Sequence, residues 1–258
     1  MPVDDREEHR PTGPWSTPPR VASAPPPVAA PRWQLSSGSV IVFTLLMLGV
    51  GIRAWKDLSR PDAFDYWKDQ YVASSLTASV IAKADFDGSG RGRPALAIRG
   101  TIGAAAASWL RKELDQAHLQ PGDTVLLSSP GGDLGQAIIM GEIIRARGLA
   151  TAVGTADDNG RVRRAYCASA CVLAYAGGKP RYGVEGSLLG VHRFVNASPA
   201  SDPVADAQRV TGFVLGYMTK MGVSSSVVEA MSETSAIRWL EPKDALAMNL
   251  VTDPLGKP

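Results

Sequence analysis

The sequence predicts an α/β domain with a mostly parallel sheet, preceded by one apolar helix. Between Ala95 and Gly154 short apolar runs alternate with amphipathic stretches whose apolar residues recur at i, i+3 and i+4. Glycine and proline punctuate each changeover. Ahead of this pattern, the stretch from Trp33 to Ile52 carries no charge.

The first 32 residues are rich in proline, alanine and charge, with no apolar periodicity, and are expected to form a disordered tail. Residues 33–55 follow as a transmembrane anchor. Twenty residues in a helix cover about 30 Å, the thickness of a bilayer core. The apolar centre VIVFTLLMLGVGI also suits the core of a signal peptide or a buried helix, but the long tail before it and the lack of an A-x-A site after it favour an uncleaved anchor. Residues 56–75 (including DAFDYWKDQ) read as a polar-aromatic linker, and 76–258 as the folded domain.

Within the domain, SLTASVIAKADFDGSGRGRPALAIRG reads as two strands around a glycine-rich turn. That turn places Asp85, Asp87 and Ser89 as a calcium loop would, yet Leu96 stands where a bidentate Glu is needed, so a plain hairpin is expected. Then come strand ALAIRG, helix AAAASWLRKELDQAHL, strand DTVLLSS, helix DLGQAIIMGEIIRARG and strand LATAVG. A polar insertion, TADDNGRVRRAY, reads as a hairpin over the site. A helical run, CASACVLAYAGG, precedes strands PRYGVEG and LLGVHRF. Helices through ADAQRVTGFVLGYMTKMG and SSVVEAMSE lead to the closing segment IRWLEPKDALAMNLVTD.

Composition excludes several classes. A net charge of +2 over 258 residues, without a basic run on a helix face, argues against a nucleic-acid partner. Two cysteines and three histidines offer no grouping with zinc spacing, so no metal is expected, and no cofactor either.

Three features suit acyl transfer. SSPGGDLGQA sets two glycines between a strand end and a helix start, where N–H groups point outward unpaired. It lacks the Lys and Ser/Thr of a phosphate loop, which leaves an oxyanion hole using the Gly132 N–H as the chemical reading and a plain turn as the bland one. Ser169 sits at a predicted helix start with alanine on both sides, so the Ala170 N–H would be a second donor; an N-cap serine is the bland alternative. His192 lies on the strand LLGVHRF, where a lone histidine is more often a core residue than a base.

The order of these motifs, with WLEPKDALAMNLVTD behind them, resembles the proteolytic subunit of the Clp protease and, more broadly, the Clp-protease/crotonase superfamily. The resemblance runs from about Ala95 to Asp253. It implies a stacked ββα superhelix, Ser169 as nucleophile, His192 as general base, and the Gly132 and Ala170 N–H groups as oxyanion hole. It implies a peptide or protein substrate and a homo-oligomer. Where the family carries its catalytic acid this chain has Ile237, and Glu233 and Ser235 are the nearest polar candidates for a third member. Two other readings compete: a crotonase-like enzyme acting on an acyl-thioester, and a non-catalytic binding or assembly module.

Cys167 and Cys171 flank the serine. A bridge between them would rigidify its turn and require an oxidising compartment; two buried thiols filling space are the alternative. The positive-inside count points to the cytoplasm, a rule with little force where a whole domain follows the span. Membrane-anchored and periplasmic Clp-like proteins share this overall plan, so the expected setting is a single-pass membrane protein with its domain outside the cytoplasm.

Overall fold

The apolar run VIVFTLLMLGVGI lies inside helix α1 (Ser37–Leu58), none of whose residues is buried. A computed structural model of the chain describes residues 37–59, 63–72, 74–86, 92–157, 159–194 and 202–255. The proline-rich tail and residues 33–36 of the expected anchor lie outside them, as does most of the glycine-rich turn. α1 is long and apolar enough to cross a membrane. It runs three residues past the expected end of the anchor, and half of the segment read as a linker is a second helix, α2 (Ala63–Tyr71).

The domain is built on a six-stranded sheet. Strands β1 (Leu76–Ala84) and β2 (Arg93–Gly100) pair antiparallel, and β3 (Thr124–Ser128), β4 (Ala150–Val153), β8 (Arg181–Val184) and β11 (Asp253–Leu255) continue in parallel in the order β1-β2-β3-β4-β8-β11. A second, three-stranded sheet runs β10 (Arg238–Trp239), β9 (Leu188–Val191), β7 (Tyr166–Ala168). Strands β5 (Thr155–Ala156) and β6 (Val162–Arg163) form a separate hairpin.

Helices α3 (Ala106–Ala117), α4 (Leu134–Ala146), α5 (Cys171–Ala176) and α6 (Pro203–Lys220) each follow a strand of the large sheet and then an extended segment of the second layer. The chain thus repeats strand, strand, helix. Helices α7 (Ser226–Ser232) and α8 (Pro242–Ala247) close the domain.

Both faces of the large sheet are covered, which is why its central strands read as continuous apolar runs rather than alternating ones. Successive side chains on β2 point to opposite faces: Leu96 and Ile98 enter the main core with Val125, Leu127 and Val153, while Ala95 and Ala97 join a smaller cluster with Leu126 and Ala152. The hairpin β5–β6 covers this smaller cluster through Ala156 and Val162, and the Gly160 carbonyl accepts from the Asp85 N–H. Its bonds run to the end of β1 rather than to Ser169 or His192 among the described residues.

One buried cation ties the closing segment down. Arg181, 3% exposed, donates from its guanidinium to the carbonyls of Gly178, Met221, Asn249 and Leu250 at 2.7–3.3 Å. Burial first, and then the neighbouring Arg145, hold its pKa below the ordinary arginine value.

Candidate active site

The second sheet assembles the site. After β3 the chain runs on beside β7: the Ser129 N–H donates to Tyr166 O and the Ala168 N–H to Ser129 O, both at 3.0 Å. This carries Ser129–Gly132 along one flank of β7. On the other flank lies β9, parallel, with Ala168 opposite Gly190 and the Ser169 N–H donating to Gly190 O at 2.9 Å. β7 ends at Ala168 and Ser169 follows it, while β9 ends at Val191, so His192 comes directly after the strand rather than lying on it as the sequence suggested.

Ser169 turns the chain from β7 into α5 with a φ of 56°, a left-handed conformation that costs a non-glycine residue about 1–3 kcal/mol. A sharp strand-to-helix turn of this kind lifts a hydroxyl out of the sheet. Ser169 is half-buried. If the turn is held for chemistry, Ser169→Gly should be more stable than Ser169→Ala by about 1 kcal/mol, because glycine removes the Cβ penalty and alanine keeps it. Thermal melts of the two variants should differ by about 2–4 °C; equal melting points would count against strain at this residue.

The paired glycines have separate tasks. Gly131 has φ 102°, and a Cβ on it would lie 2.7 Å from both Ala168 O and Ser169 Cβ, so only glycine lets the loop press against the serine turn. Gly132 has φ 141°, and the Ile102 carbonyl oxygen occupies the space that a Cβ on it would need. The loop is pinned there by Ile102 N–H donating to Gly131 O and Asp133 N–H to Ile102 O, both at 2.8 Å. Asp133 then caps α4 by accepting from the Gln136 N–H. The N–H groups of Gly132 and Ala170 donate to no carbonyl among the described residues. Two such donors beside a hydroxyl are the elements needed to stabilise a tetrahedral oxyanion.

His192 is half-buried, and its Nδ1 lies 2.7 Å from Arg193 O. A carbonyl oxygen only accepts, so this contact puts the proton of the neutral ring on Nδ1 and leaves the Nε2 lone pair available. No hydrogen bond joins His192 to Ser169 among the described residues; such contacts commonly tighten only when substrate enters. Strand β10 pairs antiparallel with β9, Arg238 opposite Val191, so the same register continued sets Ile237 opposite His192. The Glu233 carboxylate accepts from Arg238 at 2.5 Å, and Ser235 is exposed. The turn that carries them is tied to the site by the Arg193 N–H donating to Thr234 O.

Cys167, on β7, and Cys171, first residue of α5, are bridged across the serine turn with Cα atoms 5.3 Å apart, and both are fully buried. An apolar cavity of about 490 Å³ opens between β8, β9 and the closing segment, lined by Tyr182, Leu189, Leu246 and Leu255 among others. Neither Ser169 nor His192 lines it.

Two groups beside the candidate residues escape a reading of the sequence. Gly131 is signalled by the doubled glycine, of which only Gly132 was given a role. The Arg193 carbonyl has no signal, since every residue carries one.

No family model and no curated protein matches the chain. Among solved structures the chain is similar to ClpP1 from Listeria monocytogenes, with a TM-score of 0.49 and 16% identity over 64% of this chain and 92% of that one. It is also similar to a point mutant of ClpP1 from the same organism, with a TM-score of 0.48 and 17% identity over 63% of this chain and 91% of that one.

Proposed function

We propose that the protein is a membrane-anchored serine hydrolase of the Clp-peptidase type, acting on peptides or proteins outside the cytoplasm. What carries the reading is the gathering of three segments at the second sheet: the loop with the Gly132 N–H, the left-handed Ser169 with the Ala170 N–H behind it, and His192 directly after the adjoining strand β9. Ser169 Oγ attacks the substrate carbonyl, and His192 Nε2 takes its proton and returns it to the leaving group. The two N–H groups hold the oxyanion. A homo-oligomer belongs to this reading, and the Cys167–Cys171 bridge agrees with an oxidising compartment.

The Arg193 carbonyl serves in place of a third side chain. It fixes the ring tautomer, which is the orienting part of the acid's role, without supplying a negative charge. Ile237 favours one competing reading, a fold kept for binding or assembly without catalysis, and labelling separates the two.

A fluorophosphonate probe should label the full chain in membranes, and Ser169→Ala should lose the label. Glu233→Gln and Ser235→Ala should keep the labelling rate within about threefold, because neither side chain orients His192. An unlabelled wild-type chain would leave the binding-module reading. A drop of about 100-fold in Glu233→Gln would return the orienting role to that carboxylate.

A further inference from the structure

Helix α2 carries an aromatic face that the folded domain does not use. Phe64, Trp67 and Tyr71 fall at i, i+3 and i+7 and share one stripe, with Lys68 at its edge. Phe64 is 79% and Tyr71 69% exposed, and Trp67 stacks on Tyr71 with ring centroids 4.9 Å apart. The opposite face is held by the domain. Ala63 is buried, and the Asp69 carboxylate accepts from the Ser75 N–H, the Ser75 hydroxyl and the Ala105 N–H at 2.8–2.9 Å. The Ser108 hydroxyl donates to Gln70 Oε1 at 2.6 Å. Burial opposes ionisation of Asp69, but these hydrogen bonds outweigh it and hold its pKa below the ordinary carboxylate value. At neutral pH the clip is fully charged, and it weakens only as the pH falls through that lowered pKa.

Single exposed aromatics need no explanation, but three in line on a helix whose other face is fixed are a surface awaiting a partner. We propose that this stripe rests in the headgroup layer of the membrane, so that α2 lies along the bilayer surface and sets how the domain stands on it. The inference depends on reading α1 as the anchor. Phe64 is six residues on from Leu58, at most about 20 Å of extended chain, so α2 cannot leave the neighbourhood of the end of α1.

That end has the same chemistry: Trp55 and Leu58 are 76% and 64% exposed and sit among Arg53 and Lys56. Asp57 and Asp65 share these segments, so the aromatics lie among charges of both signs; rings beside lysine and arginine suit the membrane–water boundary, where rings sit at headgroup level and lysine extends toward the phosphates. The core of a protein–protein contact, by contrast, is depleted in lysine. The partner is therefore lipid rather than a second copy of the chain.

The test uses the full chain reconstituted in phosphatidylcholine vesicles containing phosphatidylglycerol. The native cysteines are bridged, so Phe64→Cys or Tyr71→Cys takes a nitroxide label alone; Lys243→Cys, at an exposed position on α8, is the control. Accessibility to a water-soluble nickel chelate should be at least threefold lower at 64 and 71 than at 243, with accessibility to oxygen raised. Equal chelate accessibility at all three positions overturns the proposal, as does dipolar broadening between labels at 64, which a second copy on the stripe would produce. Alkaline carbonate extraction reads the anchor separately. Extraction with shielded labels overturns the anchor and supports surface docking by α2. Resistance with water-exposed labels supports the anchor and overturns the docking.

Discussion

Gly131→Ala is expected to slow fluorophosphonate labelling of Ser169 by about 100-fold while the domain stays folded. The added Cβ meets Ala168 O and Ser169 Cβ at 2.7 Å, and both belong to the turn that carries Ser169 rather than to a flexible side-chain end. Either the loop or the turn must retreat by most of an ångström, and a displacement of that size at a reacting group costs about two orders of magnitude in rate. The left-handed φ of 102° adds about 1 kcal/mol of strain to the folded state, too little to unfold it. The check is a time course of labelling beside a thermal melt. A labelling rate within twofold of wild type would mean that the SSPGG loop does not support the serine.

Arg181→Ala is expected to be strongly destabilising, by about 4 kcal/mol. Four carbonyls lose a charged donor; Met221 O keeps its bond from Arg145 and Asn249 lies at the surface, so the cost falls chiefly on Gly178 O and Leu250 O, at about 1–3 kcal/mol for each buried acceptor left unsatisfied. The carbonyls come from the loop after α5, the end of α6 and the closing segment, so the loss is felt where these meet β8. For a domain of this size the melting temperature should fall by roughly 10 °C. Arg181→Lys should recover only part of it, because one ammonium lacks the guanidinium fork that reaches all four. A fall under about 2 °C for the alanine variant would show that the closing segment is held by packing alone.

The alternation of strands and helices from β2 to β4 was legible because both faces of the sheet are buried and the helices are amphipathic; those patterns survive in one dimension. β7 was not. Tyr166, Cys167 and Ala168 are too few to show a period, and they join the polar insertion directly to the apolar helix α5, so Tyr166 reads with the insertion and the rest as helix. β10 and β11, two and three residues long, hide for the same reason. α2 read as a linker because its attachment is polar, through Asp69 and Gln70, and its apolar side faces outward, the reverse of the usual signal. Gly132, Ser169 and His192 stand out as candidates because a doubled glycine, a serine between alanines and a lone histidine are visible in the sequence itself. The Arg193 carbonyl beside His192 Nδ1 is a backbone atom, which no side-chain pattern can encode; the side chains at that place are those of Ile237, Glu233 and Ser235.

The bridge between Cys167 and Cys171 has a bearing on timing. A chain leaving the ribosome in a reducing cytoplasm has both thiols free, and its serine turn is then held by hydrogen bonds alone. On the proposed reading the ring closes only after the domain has crossed the membrane and met an oxidant. Export would then complete the nucleophile as well as deliver it, and the newly made hydrolase would pass through the compartment of its synthesis without a finished active site.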